Sequence, residues 1–313
     1  MGNRKYMMCE FLIKADNANK RLDVFLSENM NLSRSEVQKF IDDKKVCVND
    51  KSQKKNYKLN LNDKIKFDYE KEDKTIKAEK YDLDVVYEDD YIAVINKDKN
   101  VIVHPTESIY SKTLVNYLMY KFKKLSDIDG NFRRGIVHRL DKDTTGLIII
   151  AKDNETHNKL KKIIQNHEIS KTYLCIVHGK IDENGVIEKF MSRNPKDRKK
   201  MMVSDEGKLS VSYFERLDYN EDYSLVKVQI KTGRTHQIRV HMNYVHHPIL
   251  GDKLYGLKKE KIIFDSQVLH AYNLQFTHPI TNKKLNITAD LKDDFILALK
   301  KTGLDYKKIP SKI

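Results

Sequence analysis

The residues best equipped for chemistry stand together in one short stretch. From Gly135 to Gly146 the chain reads Gly-Ile-Val-His-Arg-Leu-Asp-Lys-Asp-Thr-Thr-Gly, which gathers His138, Arg139, Asp141, Lys142 and Asp143 within six positions. Asp141 and Asp143 lie two apart, so on an extended loop they share a side and could work as the paired carboxylates of a hydrolase. The ordinary alternative is a solvated turn closed by Gly146. The flanks argue for a held loop: Ile136-Val137 precedes it and Leu147-Ile148-Ile149-Ile150-Ala151 follows. Short apolar, β-branched runs beside Gly and polar clusters read as buried strands. The loop between them is therefore anchored at both ends, where catalytic groups are often carried.

The elements that must position this loop can be read on either side of it. Asp84–Asn96 reads as two strands around Glu88-Asp89-Asp90, the second being Ile92-Ala93-Val94-Ile95. Leu114, Val115, Leu118 and Phe122 share one face of a helix over 113–122, and Leu160, Ile163, Ile164 and His167 share another's. Lys171–Gly179 reads as a strand with Tyr173, Cys175 and Val177 on one face. Leu209–Leu217 and Tyr223–Lys231 read as paired strands, and Leu291–Leu299 as a closing helix. In Thr232-Gly233-Arg234-Thr235-His236-Gln237-Ile238-Arg239-Val240-His241-Met242, Gly233 breaks a strand, and Ile238, Met242 and Val245 suit a helix capped near Thr235. Arg193–Lys200 is a cationic loop in which Arg198 and Lys199 are candidate phosphate contacts.

Taken whole, the central string closely resembles the His-Arg-Leu-Asp-x-x-Thr-Ser-Gly signature of the RluA-type pseudouridine synthases, with Thr145 at the usual Ser. Gly233–His241 is similar to that family's Gly-Arg-Thr-His-Gln-Ile-Arg-Val-His motif. Pro248-Ile249-Leu250-Gly251-Asp252, Tyr255-Gly256, Leu269-His270-Ala271 and Thr277-His278-Pro279 resemble its downstream strings. The chain departs where the family has Asn-Lys-Pro-x-Gly: here it reads Asn96-Lys97-Asp98-Lys99-Asn100, and Asn tolerates a positive φ.

The resemblance implies isomerisation of uridine in RNA to pseudouridine, without cofactor or metal. It implies Asp141 as the essential catalytic carboxylate, acting on C1′ or on the 2′ proton. Arg239 would pair with Asp141 and keep it charged. Tyr173 would stack on the uracil and is a candidate acceptor of the C5 proton. Arg139 would fill the gap left by the flipped base, and His138 beside it is a further candidate RNA contact. The fold implied is α+β, a mixed, mostly antiparallel central sheet with flanking helices.

The N-terminal part carries a second resemblance. Leu22, Phe25 and Leu26 have helical spacing, Ser33–Glu36 fits a capping box, and Val37, Phe40 and Ile41 form the stripe of the next helix. Val46-Cys47-Val48 precedes an Asn49-Asp50 turn, and Ile65-Lys66-Phe67 supplies another strand. With Arg21-Leu22-Asp23 and Asn62-Asp63, this layout resembles an S4 RNA-binding domain, except that Lys44-Lys45 stands where a Gly is usual. Arg34, Lys44, Lys45 and Lys39 are its candidate RNA contacts.

Composition agrees with a polyanionic partner. The 313 residues carry a net charge of +14, with 33% charged. No run of about 18 apolar residues exists, so no transmembrane helix is expected. Met7-Met8 makes too short an apolar core for a signal peptide. Cys9, Cys47 and Cys175 are few and isolated, as in a reducing compartment. His236, His241, His246 and His247 invite a metal reading, but no carboxylate or Cys recurs at ligand spacing. The expected organisation is an S4-like domain over 12–68, a charged linker over 69–82, a catalytic domain over 83–301 and a basic tail over 302–313. The expected protein is a cytoplasmic monomer acting on RNA, with large-subunit ribosomal RNA favoured over transfer RNA. The competing classes are the hydrolase above and a non-catalytic RNA-binding protein for ribosome assembly.

Overall fold

A computed structural model describes residues 4–30, 32–72, 75–106 and 108–310. The chain divides into two compact units, Met1–Thr75 and Ile76–Ile313.

In the first unit, strand β1 (Arg4–Leu12) precedes helices α1 (Leu22–Met30) and α2 (Arg34–Asp42), then β2 (Val46–Val48), β3 (Lys51–Ser52) and β4 (Lys64–Glu72). The strands form one sheet in the order β1-β4-β2-β3. Ser33 caps α2 reciprocally with Glu36. Asn49 explains two of the sequence strings: its amide donates to the buried Asp63 carboxylate at 2.8 Å, and its Oδ1 accepts from Lys64 N–H at 2.9 Å. Lys44 takes φ 59, so the turn keeps the left-handed geometry that a Gly would adopt freely.

The second unit is built on a ten-stranded sheet. Its elements are β5 (Val85–Glu88), β6 (Ile92–Lys97), α3 (Leu114–Lys121), β7 (Thr145–Ala151), α4 (Asn154–Gln165), β8 (Ser170–His178), β9 (Asn184–Arg193), β10 (Met201–Ser204), β11 (Lys208–Tyr219), β12 (Tyr223–Ile230), α5 (Gln237–Tyr244), β13 (Leu269–Thr277), β14 (Lys284–Thr288) and α6 (Asp293–Thr302). The order is β10-β9-β11-β12-β8-β13-β7-β6-β5, with β14 on β13. β13 pairs with β7 in parallel, at Thr145/His270 and Gly146/Ala271; the other named pairs are antiparallel.

Period-two alternation sends each strand's residues to opposite faces. Ala93, Ile95, Ile148, Ile150, Tyr173 and Cys175 pack with α3 and α5 on one face. Ile92, Val94, Leu147 and Ile149 pack against α4, and Leu174 and Ile176 against α6, on the other. Covered on both sides, β6 and β7 need the continuous apolar runs seen in the sequence.

One feature differs from the expectations. Residues 76–82, read as the end of a charged linker, lie on the second unit. Ile76 packs on its core, Tyr81 stacks on Tyr117 with ring centroids 4.3 Å apart, and the Tyr81 hydroxyl donates to Asp98 at 2.8 Å. Asp98, which stands where the resembled string has Pro, thus binds Tyr81 and also pairs with Lys292 at 2.9 Å. Asn100 takes φ 64, the turn geometry usually left to Gly. Of the linker, residues 73 and 74 lie outside the described residues, as do 311–313 of the tail; before them Tyr306–Lys308 forms a helical turn.

Candidate active site

The loop before β7 is fixed by three neighbours. Ile149 N–H donates to His138 Nε2 at 2.9 Å, clamping the start of the loop to β7. Burial, then the nearby Lys171, pushes the His138 pKa down to about 3, so this imidazole is neutral and offers RNA no positive charge. Lys97 is 1% exposed. Its ammonium donates to the carbonyls of Asp98 (2.8 Å), Val101 (3.1 Å) and Lys142 (2.9 Å), tying the Asn96–Asn100 turn to the middle of the loop. Burial lowers its pKa to about 8, opposed by Asp143, Asp98 and Asp141. At the far end Thr145 Oγ1 meets His270 Nδ1 at 2.8 Å. Gly146 has φ 105, and a Cβ there would stand 2.3 Å from Ala271 O, so a side chain would force β7 and β13 apart.

Replacing Lys97 tests this bracing. Lys97→Met has similar length but leaves three carbonyls without their donor, each costing roughly 1–3 kcal/mol where water cannot reach. A clearly lower melting temperature and faster hydrogen exchange at residues 141–144 are expected. An unchanged exchange pattern would show that the loop stands without it.

Asp141 emerges from this frame with its side chain 19% exposed. Arg239, in the first turn of α5, donates to its Oδ2 through Nη1 at 3.0 Å. The other arms of the guanidinium grip Asp252, Nε at 2.7 Å and Nη2 at 2.8 Å. Burial opposes the Arg239 charge, but the bonds to Asp252 and then Asp141 outweigh it and raise its pKa. Burial likewise opposes the Asp252 anion, and Arg239 with the N–H groups of Tyr255 and Leu254 overturns that and lowers its pKa. The Asp252 side chain is fully buried, so this bidentate pair is a fixed base from which Arg239 reaches Asp141.

α5 is seated on β11 by Gln237. Its Oε1 accepts from Thr232 Oγ1 and Arg234 N–H, and its Nε2 donates to Val211 O and Ser212 Oγ. The helix cap falls one residue beyond Thr235, on His236, which takes φ 56 and makes no side-chain cap bond. Gln237 captures the freed N–H of Arg234 instead.

A cleft of about 520 Å³ opens beside Asp141, with Arg139, Lys171, Tyr173 and Arg234 among its walls. Tyr173 is buried, and burial first, then Asp141, raises its phenol pKa. Arg139 is exposed on the rim and makes no hydrogen bond or ion pair among the described residues. A second depression of about 340 Å³ shares Arg139 and Asp141 and includes Asp143, whose Oδ1 is buried without a partner among the described residues. Among those residues no three His, Cys, Asp or Glu converge as a metal site would.

Residues 91–244 match the RNA pseudouridylate synthase family, and residues 20–65 match the S4 domain. The chain is 41% identical over 290 residues to the Bacillus subtilis protein named "Uncharacterized RNA pseudouridine synthase YlyB", covering 91% of this chain and 95% of that one. It is 35% identical over 299 residues to the "Ribosomal large subunit pseudouridine synthase D" of Vibrio cholerae, covering 91% of each. It belongs to the RNA pseudouridine synthase family. The solved human RNA Pseudouridylate Synthase Domain Containing 4 shares its fold, with a TM-score of 0.56 at 23% identity over 71% of this chain and 93% of that one.

Asp141 and Arg139 line both depressions, Tyr173 lines the larger one and Arg239 the smaller. Sequence reasoning passed over Lys97, Lys171 and Asp252 as site residues. Asp252 carried a signal, an acidic residue inside a matched string. Lys171 sits two positions before Tyr173, hence on its face of β8; burial lowers its pKa, and it has no ion pair among the described residues. Arg198 and Lys199 are exposed at the tip of the β9–β10 hairpin. There Asn194 Oδ1 accepts from Lys196 and Asp197 N–H, so the cationic loop is folded by its own bonds.

In the S4 unit Lys39, Lys44 and Lys45 are exposed. Arg34 is half committed: its Nε donates at 3.0 Å to Asp23, which also holds Arg21 and Gln38. Among the described residues no helix is long and apolar enough to cross a membrane.

Proposed function

We propose that this enzyme isomerises uridine in large-subunit ribosomal RNA in the cytoplasm, with Asp141 as the reacting carboxylate. The carrying observation is the three-point use of Arg239. Its Nε and Nη2 are locked on the buried Asp252, and its Nη1 holds the Asp141 carboxylate in place beside the cleft. The target base cannot react within a stack, so it is flipped out at a cost of a few kcal/mol. Arg139 takes the vacated position, its planar guanidinium stacking on neighbouring bases. Tyr173 stacks on the uracil, worth roughly 1–3 kcal/mol; its raised phenol pKa means that it must first give up its own proton to act as the candidate acceptor of the C5 proton. Asp141 attacks C1′ or takes the 2′ proton. The N1–C1′ bond breaks, uracil turns, C5 bonds to C1′, the C5 proton leaves and N1 takes up a proton; a proton taken from C2′ is returned there. Atoms are conserved, so no co-substrate is consumed.

The ribosomal assignment is supported by relatives named for the large subunit. Pseudouridine mapping of RNA from a deletion strain tests it: sites should vanish from large-subunit ribosomal RNA. Loss confined to transfer RNA would redirect the enzyme to that substrate.

The S4 unit and the hairpin tip supply affinity rather than chemistry. Lys39→Ala, Lys44→Gly and Lys45→Ala together should weaken RNA binding, with Gly suiting the positive φ at 44. The slope of log K against log salt should flatten by roughly 0.7–0.9 for each phosphate that is no longer neutralised. Filter binding across salt concentrations measures it, and an unchanged slope would take these lysines off the RNA.

A further inference from the structure

His236 is the one residue of its motif held in a conformation that L side chains rarely adopt, φ 56 at the start of α5. Such outliers persist where the surroundings over-determine them, and they cluster at functional sites. Its ring is fixed on one side by Tyr255: His236 Nδ1 and Tyr255 Oη are 2.9 Å apart. Tyr255 Oη in turn accepts from Met201 N–H at 2.7 Å, where the cationic hairpin returns into β10. On the other side His236 Nε2 stands 3.8 Å from Asp141 Oδ2, the oxygen that Arg239 also holds.

The facing carboxylate selects between the two tautomers of His236. Met201 N–H occupies one lone pair of the phenol oxygen, and the phenol proton can point at Nδ1. A neutral imidazole accepting at Nδ1 carries its proton on Nε2. That proton then faces the carboxylate; the opposite tautomer would set a nitrogen lone pair against Asp141. Burial lowers the His236 pKa, against the pull of Asp141, which keeps the ring neutral at neutral pH. The Tyr255 ring also lies under the Arg239 guanidinium, 5.2 Å from its centroid, so one side chain supports both groups that face Asp141.

We propose that His236 is a positioning residue for Asp141, its tautomer set by Tyr255, and that this chain couples the root of the cationic hairpin to the reacting carboxylate. RNA seated on the hairpin tip would hold β10 and Tyr255 in place, and Tyr255 would present the Nε2 proton to Asp141. The inference rests on Asp141 being the reacting carboxylate.

His236→Gly is the decisive variant, because Gly adopts φ 56 without strain and removes only the ring. Its melting temperature should hold, KM should stay within about twofold, and kcat should fall about tenfold. That is less than the roughly 10²–10³-fold lost with a donor at direct hydrogen-bond distance. His236→Gln, which keeps an N–H within reach of Asp141, should recover part of the loss. Tyr255→Phe keeps the ring under Arg239 and removes only the hydroxyl; kcat should fall several-fold at unchanged KM. The double variant His236→Gly/Tyr255→Phe should be no slower than His236→Gly alone, since the hydroxyl acts through the imidazole. Full kcat in His236→Gly, or multiplying effects in the double variant, would overturn the proposal. A loss seen in KM alone would make His236 an RNA contact and overturn it too. If Asp141→Asn itself keeps turning over, the reading of Asp141 fails; if only the His236 variants are silent, this inference alone fails.

Discussion

Asp141→Asn is expected to abolish pseudouridine formation while leaving the fold and RNA affinity nearly intact. Asn matches Asp in shape, and its carbonyl oxygen can still accept from Arg239 Nη1, so the loop keeps its geometry. What disappears is the negative charge needed either to attack C1′ or to take the 2′ proton. A single group of this kind contributes roughly 10²–10⁴-fold, so turnover should drop at least that far. Stability should change little, because Arg239 remains neutralised by Asp252 and Asp141 is partly open to the cleft. Tritium release from C5-labelled uridine in RNA gives the rate, and a thermal melt gives the fold. Substantial residual turnover in a folded protein would remove Asp141 from the catalytic role.

Replacing Arg239 should bring the largest combined loss of activity and stability. Arg239→Lys keeps the charge but not the fork, and a single ammonium cannot hold two carboxylates in three directions. Turnover should fall by at least about tenfold, a loss of 1.4 kcal/mol at the transition state, with RNA affinity little changed. Arg239→Ala leaves the buried Asp252 without its partner, a loss of roughly 3–5 kcal/mol. The rescue should follow burial. Asp252→Asn in the Arg239→Ala background should restore more stability than Asp141→Asn does, because Asp252 is fully buried whereas Asp141 is 19% exposed. Double-mutant cycles by thermal melts measure both couplings. Strict additivity for the Asp252 cycle would contradict the bidentate pair. Equal rescue by the two Asn variants would mean that Asp141 shares the buried charge far more than its exposure allows.

The pairing of Arg239 with Asp141 was legible only through the family resemblance. The two residues are 98 positions apart, and no periodicity relates them. Asp252, only 13 positions from Arg239, was equally illegible as a partner, since a loop and not a helical turn separates them. The same limit applied to His138, placed among the RNA contacts by its neighbourhood in sequence. Its ring is instead a bond acceptor for β7, because a residue's partner depends on which strand passes beside it.

By itself the sequence determined what depends on near neighbours. The apolar runs at 92–95 and 147–151 had to be buried strands, the capping box at Ser33 had to start a helix, and Asn100 could make its turn. The motif strings identified the chemistry, because their side chains occur at set offsets. Tertiary structure alone decided which groups complete the site. Lys97, Asp252, Tyr255 and Met201 come from separate parts of the chain, brought together where β7, β8 and β13 lie side by side and α5 packs nearby. The physical reason is that hydrogen bonds and ion pairs act over about 3–4 Å of space, whatever the number of residues between the partners.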